Sequence, residues 1–92
     1  MSNINEYDLV ALTDEQAATH KTSLETIQLQ RGQIGTVVMR LAPEVWLVDF
    51  ADGQGNTYAM ETISTAQLLL LHQEPIAVPA WTHFFRVPGS NI

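Results

Sequence analysis

The stretch Leu29-Gln30-Arg31-Gly32-Gln33-Ile34-Gly35-Thr36-Val37-Val38-Met39 decides the fold. Gly32 suits a tight turn that needs a positive φ. The β-branched run Ile34, Thr36, Val37 and Val38 favours a strand. Gly35 inside that run predicts either a bulge or the close approach of other chain. Upstream, Tyr7-Asp8-Leu9-Val10-Ala11-Leu12-Thr13 puts Val10 and Leu12 on one face and Leu9 and Ala11 on the other, the alternation of a short strand. Downstream, Leu41-Ala42-Pro43-Glu44 connects to Val45-Trp46-Leu47-Val48-Asp49-Phe50, where Trp46, Val48 and Phe50 share one side. Ala51-Asp52-Gly53-Gln54-Gly55-Asn56 reads as a hairpin loop, with an Asp-Gly pair and a second glycine. Thr57 to Ile63 returns as a strand, Ser64-Thr65-Ala66-Gln67 as a single helical or 3₁₀ turn, and Leu68 to Leu71 as a final buried strand.

The segment from Asp14 to Ser23 is the exception. Thr13 followed three residues later by Gln16 has the form of a capping box and predicts one helical turn. Leu24, Ile27 and Leu29 are then expected to bring the chain back to the core. Five short strands joined by tight turns predict a mainly β fold, a small five-stranded barrel closed on itself. The barrel is expected over residues 1–74, with a C-terminal aromatic arm over 75–92.

That arm has a different texture. Pro75, Pro79 and Pro88 exclude a continuous helix or a central strand. Yet Ile76, Val78, Trp81, Phe84, Phe85 and Val87 are too apolar for a solvated tail. Trp, Phe and Arg anchor protein interfaces, so Trp81, His83, Phe84, Phe85, Arg86 and Val87 are the candidate interface residues. The arm is expected either to lie over its own barrel or to contact a neighbouring subunit.

Composition narrows the function. The chain has 92 residues, 46% of them apolar and 15% charged, which argues for one folded domain rather than a disordered chain. At this size roughly 60–65% of the unfolded surface is buried, which leaves apolar surface that self-association can cover. Zero cysteines exclude a disulfide framework, a thiolate nucleophile and a cysteine-ligated zinc site. Four cations against ten acids, a net charge of −6, disfavour a phosphate-binding surface. The longest apolar run, Leu68 to Leu71, is far short of the roughly 20 residues that span a bilayer. The N-terminal residues show no basic-then-apolar signal, so a cytoplasmic protein is expected.

The string Tyr7 to Thr13, then Arg31-Gly32-Gln33-Ile34-Gly35-Thr36-Val37-Val38, Val48-Asp49-Phe50, Thr57-Tyr58-Ala59-Met60-Glu61-Thr62-Ile63 and Gln67-Leu68 resembles the bacterial domain-of-unknown-function family 4926. The resemblance covers about residues 7–71. It implies an SH3-like barrel and no assigned chemistry. Members look like products of small, mobile or accessory bacterial genes, some working beside a toxin-like neighbour. The stretch between Thr13 and Gln30 is longer than the family's usual loop, and the tail from Pro75 has no counterpart in it.

No catalytic set is legible. His20, His72 and His83 lack metal-ligand spacing, and a structural role is the better reading. Asp52 suits the Asp-Gly turn, and Asp49 is expected to face solvent or cap the strand end. Gly32, Gly35, Gly53 and Gly55 are structural turn residues. Trp46 belongs to the core by its register. Gly32-x-x-Gly35-x-Val37 also resembles the KOW element of some RNA-binding barrels. That reading requires Lys21, Arg31, Arg40 and Arg86 to converge on one face. Arg31 has the alternative of pairing with an acid on an adjacent turn. The third alternative is a small-molecule pocket between barrel and arm, lined by Trp81, His83 and Phe84. The favoured expectation is a non-enzymatic protein-interaction module, antitoxin-like or regulatory. It would need no metal or cofactor, form a homodimer or higher homo-oligomer through residues 79–88, and have an acidic surface suited to a basic protein partner.

Overall fold

The structure is a computed structural model and describes residues 3–79. It is mainly β. Seven strands run β1 (Leu9–Leu12), β2 (Gln16–Thr19), β3 (Thr26–Leu29), β4 (Ile34–Ala42), β5 (Val45–Ala51), β6 (Thr57–Ser64) and β7 (Leu68–Leu70). A 3₁₀ turn, Thr65–Gln67, leads into β7. Five strands form one antiparallel sheet in the order β6-β5-β4-β1-β7, and β2 and β3 form a separate hairpin. The five sheet strands are those read from the sequence. No helix among the described residues is long and apolar enough to cross a membrane.

The long meander β4-β5-β6 curls around one core. β5 alternates strictly, with Trp46, Val48 and Phe50 buried and Val45, Leu47 and Asp49 turned the other way. The buried set joins Val10, Leu12, Leu29, Val37, Ala59, Ile63 and Leu68 in a single apolar cluster. Two register shifts in β4, between Val37 and Met39 and between Arg40 and Ala42, leave Val38 and Leu41 as extra residues. Bulges of this kind bend a strand and raise its twist, which lets β4 serve β1 at one end and β5 along its length. Gly35 is not at a bulge. It is the close approach: a Cβ placed there would lie 2.6 Å from Val48 Cγ1 and 2.9 Å from Phe50 Cε1. Gly32 has φ +87°, as its turn requires.

Residues 14–29 correct the expectation of a helical turn. Gln16–Thr19 pairs in register with Thr26–Leu29. The Thr13 hydroxyl donates to the Asp14 carboxylate rather than capping a helix. The physical reason is tertiary. Ala18 and Leu29 enter the core from one face of the hairpin, with Ile27 packed against it. The hairpin also docks on β6: Lys21 N donates to Tyr58 O at 2.7 Å, and Thr19 N to the Glu61 carboxylate at 3.0 Å. Leu24 does not return to the core. It sits in the left-handed region at the hairpin tip and is exposed. The final strand is only partly buried, since Leu69 points out between Leu68 and Leu70.

Candidate functional site

Alternation in a sheet with one buried face sends every second side chain outward. Here the outward set is unusually apolar. Register aligns Leu69 of β7 with Ala11 of β1, and Ala11 with Ile34 of β4. Leu69 is 58% and Ile34 55% exposed. Ala11 is buried without belonging to the core cluster, which places it on the outer face between these larger neighbours. The next row runs Leu9, Thr36, Asp49 and Met60 across β1, β4, β5 and β6. A third pairs Met39 with Leu47 and Leu47 with Thr62. Met60 and Met39 are exposed as well. The result is an outer face with several large apolar side chains and one carboxylate, on β5 between Thr36 and Met60.

That carboxylate is Asp49. It is half-buried and accepts the Thr57 hydroxyl at 2.8 and 3.0 Å on its two oxygens. Of the two expected roles, it takes the outward-facing one, tied to Thr57 rather than capping the strand end. No cation reaches ion-pair distance of it among the described residues. Asp52 does serve the hairpin loop. Its Oδ1 accepts from Gln54 N and Asn56 N, and those backbone hydrogen bonds hold its carboxyl below the ordinary value. Gly53 and Gly55 lie in the same loop, and Gly55 takes the positive φ.

The histidine His20 is structural. Its Nδ1 accepts from Thr22 N and Ser23 N at 3.1 Å each. Its ring stacks on Tyr58, centroids 6.4 Å apart. The Gln33 side-chain amide donates to the Tyr58 hydroxyl. Nothing in the sequence signals this linkage of His20, Tyr58 and Gln33, because its members lie far apart along the chain and meet only in the fold. Trp46 is core, as expected, with Nε1 donating to Thr65 Oγ1 at 2.8 Å.

The basic residues are dispersed. Lys21 is at the hairpin tip, Arg31 in the turn between β3 and β4, and Arg40 toward the opposite end of β4 from Arg31. Arg31 forms no ion pair among the described residues, so the alternative of an acidic partner on an adjacent turn is not realised there. Arg40 Nε donates to Ala42 O. An open cleft of about 360 Å³ lies where the sheet ends and the arm begins, lined by Tyr7, Asp8, Leu9 and Leu71 to Glu74. Its titratable groups form no cluster of three metal-ligating side chains among the described residues. The sequence-predicted interface residues Trp81, His83, Phe84, Phe85, Arg86 and Val87 lie outside the described residues.

No curated protein and no solved structure gives a significant match to the chain. The family profile described as a domain of unknown function, DUF4926, matches residues 6–70. The matched span takes in all seven strands, including the β2–β3 hairpin, and stops before the arm. With well over half of its length inside that match, the chain belongs to the DUF4926 family.

Proposed function

We propose that this chain is a non-catalytic protein-interaction module that self-associates with the help of its C-terminal arm. The observation that carries the reading is the outer face, where Leu69, Ile34, Met60 and Met39 leave large apolar side chains in water on a continuous sheet surface. Contiguous exposed apolar surface of this kind marks interaction sites in soluble proteins. Fully burying one such side chain stabilises by about 1.5–3 kcal/mol, so a few together outweigh the modest repulsion between two acidic copies. The dispersed positions of Lys21, Arg31 and Arg40 favour this reading over an RNA-binding barrel, which needs cations gathered along a phosphate track. The acidic body also suits a basic protein partner, the form an antitoxin-like or regulatory role would take.

Sedimentation equilibrium of the purified full chain tests the reading. A mass of two or more protomers that falls toward one on dilution is the expected result. A protomer mass at every concentration counts against self-association.

A further inference from the structure

We infer that the outer face of the sheet is the receptor for residues 80–92 of a second copy of this chain, with Arg86 of the incoming arm set against Asp49. The inference rests on the self-association reading and adds its geometry: which surface receives, what fills it, and which charges register the two.

Length and exit point come first. The last strand places Leu71 beside Leu9 through the bond from Leu71 N to Leu9 O, at one side of the outer face. From Glu74 the chain is committed to extended conformation before Pro75 and again before Pro79. Along that stretch Ile76 is 86% and Val78 56% exposed, so the arm does not fold back onto its own sheet as far as it is described. Thirteen residues follow Pro79. Extended, they reach at most roughly 45 Å. The receiving face is five strands wide, roughly 19 Å at the usual strand spacing. The arm is long enough to cross that face on a neighbour even after bridging a gap between the two bodies.

Charge gives the second argument. All ten acids lie at or before Glu74, with three of the four cations, so residues 1–74 carry −7. Residues 75–92 hold Arg86 and no acid. The arm is therefore a net-positive segment that a second acidic body attracts. The target is also specified. Asp49 lies on this face between Thr36 and Met60, held in place by Thr57 and unmatched by a cation among the described residues. An arm that offers Trp81, Phe84 and Phe85 to Leu69, Ile34 and Met60 and a guanidinium to Asp49 matches the face in both apolar character and charge. Two arms and two faces exchanged reciprocally make a closed twofold dimer.

The experiment uses the full chain and three variants: Ile34→Glu on the exposed face, Phe84→Glu in the arm, and Arg86→Glu. Circular dichroism first establishes that each retains the β fold, which is expected because Ile34 is exposed and the other two lie outside the matched domain. Native mass spectrometry then reads the mass. The wild type is expected as a dimer, with Ile34→Glu and Phe84→Glu as monomers. Mixing those two is expected to restore a heterodimer, because one intact arm then meets one intact face. Arg86→Glu is expected to weaken the dimer about tenfold or more, with Asp49→Arg restoring it. A wild-type dimer that survives all the single substitutions overturns the inference while leaving self-association standing. A wild-type monomer overturns both. A monomer whose Trp81 emission shifts with Ile34→Glu places the arm on its own face and overturns the exchange between copies.

Discussion

Gly35 faces inward from β4, where β5 lays Val48 and Phe50 across it. The 2.6 Å that an added Cβ would have to Val48 Cγ1 cannot be relieved without moving a core residue. Overpacking of this kind costs about 1–3 kcal/mol. Gly35→Ala is therefore expected to lower the melting temperature by roughly 4–8 °C for each kcal/mol lost, measured by calorimetry, with no change in strand content. Gly32→Ala meets no close atoms, and its loss comes from the positive φ alone. Asp52 behaves differently. Its carboxyl is held below the ordinary 3.8 by backbone hydrogen bonds from Asn56 and Gln54. A depressed value means the charged form is favoured by folding. The contribution is present above the ordinary carboxylate value and is lost as the pH falls through the depressed one. Amide exchange at Gln54 and Asn56 is expected to accelerate in that acid window in the wild type. In Asp52→Asn, which keeps an acceptor and loses the charge, that pH dependence is expected to vanish.

Among the elements, the β2–β3 hairpin is the one that reads differently in sequence and in structure. Thr13, Gln16 and the acids between them carry the signs of a helix start, and local chemistry favours a turn there. What the local pattern omits is that Ala18, Ile27 and Leu29 can reach a core built by other strands. A capping box stabilises by about 1 kcal/mol, while burying Leu29 alone is worth about 2 kcal/mol or more, so the paired form prevails. His20 pins the far end of the hairpin through its two accepted bonds and its stack on Tyr58. His20→Ala is expected to remove protection from the amides of residues 20–25 in hydrogen exchange while β4, β5 and β6 keep theirs. Equal loss of protection across the sheet would show instead that hairpin and sheet open as one unit. The five sheet strands were legible because each one alternates or is β-branched over its own length, as in β5, where the register of Trp46, Val48 and Phe50 follows from period two alone.

For the whole molecule, the unanswered demand is the apolar outer face. If copies of the chain cover it, stability becomes concentration-dependent, because association binds the folded state and not the unfolded one. The melting temperature is expected to rise with protein concentration for the wild type and to be flat for Ile34→Glu. A flat wild-type dependence would show that no second copy covers the face. The sequence by itself determined the β class, the turn at Gly32, the core row of β5 and the loop role of Asp52. Each of these depends on neighbours within a few residues. The ladder order, the docking of the hairpin on β6, the close approach at Gly35 and the gathering of Leu69, Ile34, Met60 and Asp49 on one face were decided only by the tertiary structure. These residues are far apart along the chain, and their meeting depends on which strand lies beside which. Period-two alternation tells which side chains share a face of one strand, but only the register between strands turns those separate faces into one surface.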